Sequence, residues 1–188
     1  MGMVQSTQRW TAEMVRNLPD DGNRYEVVDG ELLVTPAPTW LHQDAVGQLY
    51  IALDAHARSK HLGTALMSPA DIELDPEGMV QPDVFVLGLI GGRPSREWND
   101  GAQLLLSVEV LSPSTARSDR ITKRRRYQRA GVPEYWIVDL DARTIERWRP
   151  DDARPEILSD AITWHPAGAE PLEIELPSLF ARIHGETL

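Results

Sequence analysis

The sequence predicts an α/β fold: a mixed central sheet flanked by helices, with a β-hairpin near the N-terminus. Three observations lead there. Segments of strand-like apolar character alternate with segments of helical period, the order that layers helices on a sheet. The run from Gln103 to Leu111 is apolar on both faces, as a strand covered by helices requires. Two apolar-rich arms, Tyr25-Glu26-Val27-Val28 and Glu31-Leu32-Leu33-Val34, flank an Asp29-Gly30 pair, a strong two-residue turn signal.

Each element follows in order. Thr11 caps a short helix, Ala12 to Leu18, which Pro19 ends. The hairpin occupies Arg24 to Thr35. Its register puts Glu26, Val28, Glu31 and Leu33 on one face, and Pro36 and Pro38 break the pattern beyond it. A helix from Leu41 to Ser59 carries an apolar stripe of Ala45, Leu49, Ala52, Leu53 and Ala57. Ala65 to Leu74 and Val80 to Leu89 read as strands separated by the turn Asp75-Pro76-Glu77-Gly78, and Gly88 to Gly101 as a polar loop. Strict alternation along the central strand sets Leu104, Leu106, Val108 and Val110 on one face and Leu105, Ser107, Glu109 and Leu111 on the other. A basic helix from Ser118 to Ala130 ends at Gly131 and Pro133. Glu134 to Leu140 is the next strand, with Arg143 to Arg149 as its hairpin partner. Short strands near Glu156 to Leu158 and Leu172 to Leu176 precede a terminal turn. No repeat or linker interrupts the chain, so residues 1–188 are expected to form a single domain, with 151–188 as its C-terminal extension.

Composition narrows the function classes. Hydrophobic content of 41% supports a packed core, and no apolar run approaches the roughly 18 residues of a membrane helix. The absence of cysteine excludes disulfides, thiolate metal sites and cysteine nucleophiles. Met1 to Thr11 is polar, without the apolar core of a secretory signal, so a cytoplasmic protein that does not enter membranes is expected. The net charge of −10 opposes tight nucleic-acid binding, but it is uneven. Seven basic residues and one acid lie between Arg117 and Arg129. Such a run is either a phosphate-facing strip or a solvated face tied up in salt bridges.

Two acids stand out because they interrupt apolar strands. Asp83 opens its strand directly after Pro82, at the sheet's rim. Glu109 lies within the central strand, where a carboxylate needs a cation or hydrogen-bond donors. Either alone reads as a buried ion pair. Together, with Lys123 following, they form a kit for metal-dependent phosphodiester hydrolysis, in which oxygen ligands suit Mg²⁺. The histidines carry less: His42 and His56 are too far apart on one helix to share a metal, and no His-x-x-x-His pair occurs.

The stretches Gln81-Pro82-Asp83-Val84, Val108-Glu109-Val110-Leu111-Ser112-Pro113-Ser114-Thr115 and Arg126-Tyr127-Gln128-Arg129-Ala130-Gly131-Val132-Pro133-Glu134-Tyr135-Trp136-Ile137-Val138-Asp139 resemble the Uma-two family. This is a family of restriction-endonuclease-like proteins within the PD-(D/E)XK nuclease superfamily. Arg24 to Leu32 resembles the family's N-terminal hairpin, so the resemblance covers roughly residues 10–150. It implies a restriction-endonuclease-like fold and a Mg²⁺-dependent (Mn²⁺ serving as well) endonuclease acting on DNA, with RNA as a further substrate class. A homodimer is expected because two basic helices along one groove would offset the acidic body. Asp83 and Glu109 match the motif's acids, with the Val110 carbonyl as a third metal ligand. Leu111 stands where the motif has lysine, and Lys123 on the following helix takes its place. Glu26, Tyr127 and Gln128 become auxiliary site residues, and Arg120 and Arg124 nucleic-acid contacts. The departure at Leu111 keeps a second possibility open, a non-catalytic interaction module on the same scaffold.

Overall fold

The structure, a computed structural model, describes residues 9–35, 37–75, 78–96 and 101–186. The expected turn at 75–78 and loop at 88–101 fall partly outside the described residues, as do Pro36 and the first eight residues. The elements are α1 (Ala12–Arg16), β1 (Arg24–Val28), β2 (Glu31–Thr35), α2 (Trp40–Ser59), β3 (Gly63–Met67), β4 (Ile72–Asp75), β5 (Gly78–Val80) and β6 (Val84–Gly88). Then come β7 (Leu104–Val110), α3 (Ala116–Ser118), a π-helical turn (Asp119–Lys123), α4 (Arg124–Arg129), β8 (Glu134–Asp139) and β9 (Thr144–Trp148). The chain finishes with β10 (Glu156–Leu158), β11 (Ala161–Trp164), β12 (Leu172–Glu175) and α5 (Leu176–Ile183).

Among the described residues, the central sheet runs β10-β9-β8-β7-β6-β3, and a second sheet runs β2-β1-β5-β4. Only the β7–β8 step of the central sheet is parallel, so the sheet is mixed. A parallel neighbour demands a long crossover, and residues 111–133, with the π-helical turn and α4, supply it. The hairpin forms in the expected register, Val28 facing Glu31 and Glu26 facing Leu33. Its turn residues Asp29 and Gly30 have φ of 54° and 81°, the two left-handed positions that this tight connection requires.

Both faces of the central sheet are covered, which explains the near-continuous apolar run of β7. On one face Val84, Val86, Leu106, Val108, Val110, Trp136 and Val138 pack against α2 and α5. On the other, Phe85, Tyr135, Ile137 and Trp148 meet Tyr127 of α4 and Val28, Ile72 and Val80 of the second sheet. Strict alternation fails at the start of β7. Val86 faces Leu106 but Leu87 faces Leu104, leaving Leu105 as the extra residue of a bulge. Leu104 therefore joins the Tyr127 side and Leu105 packs against the opposite core.

Three further elements differ from the sequence expectation. Ala65 to Leu74 divides into β3 and β4, which belong to different sheets. The basic helix is interrupted by the π-helical turn. The terminal turn is a helix, α5, whose buried Leu176, Leu179, Phe180 and Ile183 recur at helical spacing. Pro177 lies in its first turn, where a missing N–H costs nothing. No helix among the described residues is long and apolar enough to cross a membrane.

Gly63 provides a test of the strand pairing. A Cβ there would stand 1.9 Å from the Leu87 carbonyl oxygen across the β3–β6 pair, and backbone cannot yield as a side chain does. Gly63→Ala is expected to lower stability in urea unfolding by about 3 kcal/mol or more, the upper end of overpacking costs. A loss below about 1 kcal/mol would contradict this packing.

Candidate active site

Glu109 projects from β7 toward the crossover helix, on the face it shares with Ser107 and Tyr127. Glu26 comes from the second sheet, two residues before Val28 and therefore on the same side of β1 as that core residue. The π-helical turn adds Asp119 and Lys123, four residues apart and aimed at one another. These four side chains are at most 1% exposed. The Lys123 Nζ lies 2.9 Å from Glu26 Oε2, 3.1 Å from Glu109 Oε1 and 3.3 Å from Asp119 Oδ1. The Tyr127 hydroxyl donates to the same Glu109 oxygen at 3.4 Å, and Gln81 N–H donates to Glu26 Oε1 at 2.8 Å. Tyr135 on β8 donates to the Asp119 backbone carbonyl at 3.2 Å, tying the π-helical turn to the sheet.

Asp83 precedes Val84, which pairs with Val108, so continuing that register sets Asp83 opposite Glu109. Its carboxylate answers to different partners. Oδ1 accepts from Arg24 at 2.6 Å, and Oδ2 accepts the Val110 N–H at 2.8 Å. His42, in the first turn of α2 where Thr39 caps its N–H, brings Nε2 to 3.2 Å from Asp83 Oδ2 and 3.0 Å from the Val110 carbonyl oxygen. A carbonyl can only accept, so Nε2 carries the proton and donates. His42 Nδ1 is buried with no hydrogen-bond partner among the described residues.

The electrostatics separate the two clusters. Burial alone would push Asp83 up, but the His42 hydrogen bond and the Arg24 guanidinium overcome it and hold the carboxyl at about 2. Burial would likewise push the Lys123 ammonium down. Glu109, Glu26 and Asp119 outweigh it and keep the pKa well above its ordinary value, so Lys123 is a fixed positive charge rather than a base. Burial pushes Glu109 well up against the pull of Lys123, and the neighbouring Asp119, Asp83 and Glu26 push the same way. Taking one ion out of water costs several kcal/mol, against about 1.5–3 kcal/mol gained by burying one large aliphatic side chain. Only mutual pairing makes such a cluster tolerable.

Four carboxylates (Glu26, Asp83, Glu109 and Asp119) face two cations, Lys123 and Arg24, an excess of two negative charges when all are ionised. The donors Asp83, Glu109 and the Val110 carbonyl are all oxygen, so by chemistry and by charge they fit a hard divalent cation. In the present arrangement Asp83 is engaged by Arg24, His42 and Val110. No three His, Asp or Glu among the described residues gather as a metal cluster.

A cavity of about 1260 Å³ opens beside this group, lined by Asp83, Arg24 and His42 but not by Glu109 or Lys123, which lie deeper. The basic segment is largely consumed within the chain. Arg120 pairs with Glu146 and Asp139, Arg126 with Asp29 and Asp75, and Arg129 with Asp29. Arg124 stands over the Trp148 ring at 4.6 Å and donates to Gln128. Gln128 in turn donates to the Arg149 and Asp152 carbonyls, away from the carboxylates. His42, Arg24 and Asp119 are site residues that sequence reasoning missed. The one available signal was Asp119 four residues before Lys123, the spacing of a helical ion pair.

The sequence matches a family model, Uma2, described as "Putative restriction endonuclease", over residues 12–177. The chain belongs to the Uma2 family. No curated protein matches the sequence. Among solved structures, a putative nuclease belonging to DUF820 from Anabaena variabilis superposes with a TM-score of 0.76 at 18% identity, covering 93% of this chain and 99% of that one. At that identity the likeness establishes the fold alone, a mixed central sheet flanked by helices as the sequence predicted.

The depressed Asp83 pKa has a testable sign. A carboxyl held at about 2 when folded, against 3.8 ordinarily, contributes stability above pH 4 that is lost as pH falls toward 2. The stability gap between wild type and Asp83→Asn is expected to be about 2 kcal/mol at neutral pH and to narrow across that window. A gap independent of pH from 6 down to 2 would contradict the Arg24 and His42 assignment.

Proposed function

We propose that the chain is a Mg²⁺-dependent endonuclease that hydrolyses DNA phosphodiester bonds at the Asp83–Glu109–Lys123 group. The observation carrying this is the excess of buried carboxylate over buried cation on neighbouring strands, beside a cavity, in a chain of the Uma2 family. Asp83, Glu109 and the Val110 carbonyl would hold the metal. When bound, it lowers the pKa of a water and offsets charge on the phosphorus centre. Asp83 is the member that meets the cavity. Lys123 is a positioning residue: fully charged and buried, it fixes Glu109 and Glu26 without touching substrate. Tyr127 adds a second donor to Glu109, and His42 holds the Asp83 carboxylate and the Val110 carbonyl in fixed relation through one N–H. Hydrolysis joins a water oxygen to phosphorus and breaks the bond to the leaving sugar oxygen, which takes up a proton.

A second reading, a non-catalytic interaction module, is favoured by one observation: both Asp83 oxygens already have partners in Arg24, Val110 and His42. The two readings part on metal. Calorimetric titration with Mn²⁺ is expected to give binding at millimolar concentration or tighter. Asp83→Asn and Glu109→Gln are each expected to cut Mg²⁺-dependent cleavage by about 100-fold, the upper end of what loss of even an outer-shell partner costs a metal centre, with the circular dichroism spectrum unchanged. Full cleavage by either variant, or no binding of Mn²⁺ by the wild-type chain, defeats the hydrolase reading.

A further inference from the structure

The cavity beside Asp83 is unlike a surface made for a double helix. Its walls include Val15, Leu18, Tyr25, Leu41, Val46 and Leu111, an apolar share of a mixed lining that comes from α1 and the residues just after it, the hairpin, α2 and the residue that follows β7. Three arginines line it as well, and each is already committed: Arg24 to Asp83, Arg16 to Glu73, and Arg120 to Glu146 and Asp139. Five of the seven basic residues between Arg117 and Arg129 are engaged within the chain. No free basic strip of the kind that neutralises two phosphate backbones remains in that segment, and the whole chain carries −10.

Duplex DNA hides the faces of its bases in the stack and offers proteins groove edges and phosphates. An apolar wall gains nothing from those. An unpaired strand presents base faces, on which aromatic side chains stack without sequence preference. Tyr25 is placed for that contact. Its hydroxyl donates to Asp21 at 2.6 Å, which fixes the ring on the cavity wall while leaving it half-buried. The cavity's 1260 Å³ also exceeds the roughly 300–1,000 Å³ of pockets that hold one small molecule. It has room for a short run of nucleotides. It lies beyond the C-terminal ends of β7 and β8, where open α/β sheets receive ligands.

We infer that the substrate of this site is an unpaired nucleic-acid strand, with bases seated on the apolar wall around Tyr25 and one phosphodiester brought to Asp83. This rests on the hydrolase reading for the chemistry at Asp83. DNA and RNA strands share the recognised chemistry, an exposed base face linked by phosphates, so both are arms of the test.

The test is fluorescence anisotropy in Mg²⁺, read before turnover, with the wild-type chain and three probes: a labelled DNA oligonucleotide, the same sequence as RNA, and its blunt DNA duplex. One of the single strands is expected to bind at least about tenfold more tightly than the duplex. Tyr25→Leu, which keeps the apolar packing but removes the ring face, is expected to lose about tenfold for that strand, and Tyr25→Phe to retain its affinity. Duplex binding equal to or tighter than both single strands overturns this inference and leaves the hydrolase reading standing. Unchanged binding in Tyr25→Leu overturns the assigned wall. Failure of all three probes to bind overturns this inference and the nucleic-acid substrate together, whereas loss of metal binding alone overturns only the chemistry at Asp83.

Discussion

The Lys123 ammonium, sealed from solvent, stands within 3.3 Å of carboxylates from three different parts of the chain. Glu26 arrives on the hairpin, Glu109 on the central strand and Asp119 on the π-helical turn. Without the positive charge these acids would repel one another in a region of low dielectric, and each would take up a proton or pull its element away. The second sheet, the central sheet and the crossover therefore meet where they do in part because one charge holds them there. A residue that could not be ionised would leave that junction without its electrostatic tie.

The rest of the site follows from this junction. With Glu109 fixed by Lys123 and Tyr127, the adjoining end of β6 sets Asp83 against a separate trio of donors, Arg24, His42 and the Val110 N–H. The two acids stand on adjacent strands but in two electrostatic environments, one held low and one pushed up. Environments that move neighbouring carboxyls apart are characteristic of functional sites as well as of structural ion pairs. Here the cavity at Asp83 and membership of the Uma2 family favour the functional alternative. The same pairing habit absorbs much of the basic segment, so the acidic exterior of the protein is not relieved by a phosphate-facing strip.

Much of this was legible in the sequence. Asp83 and Glu109 were visible because a charge inside an apolar strand demands an explanation, and the Asp29-Gly30 turn fixed the face on which Glu26 falls. Lys123 was visible as the lysine on the helix that follows Glu109. His42 and Arg24 were not, because their meeting with Asp83 depends on how α2 and the hairpin pack across the sheet's end, 41 and 59 residues from it in sequence. Local patterns carry no record of such distances. The bulge at Leu105 was hidden by an unbroken run of leucines, which looks the same in either register. The terminal helix was hidden by Pro177, which serves equally as a break or as a first-turn residue. The sequence displayed seven positive charges on the crossover, but the acids that pair with Arg120, Arg126 and Arg129 come from β1's turn, β4, β8 and β9.

The most direct measurement is the unfolding free energy of Lys123→Met as a function of pH, since methionine keeps the length and removes the charge. Three buried carboxylates would then face one another, and the loss at pH 8 should reach about 3–5 kcal/mol, the cost of breaking a buried pair. Glu109 and Asp119, already pushed up by burial, would lose the opposing pull of Lys123, so the penalty is full at high pH and shrinks as pH falls and they protonate. A variant as stable as wild type at pH 8, or a deficit that does not change down to pH 5, would contradict the claim that this one charge ties the site together.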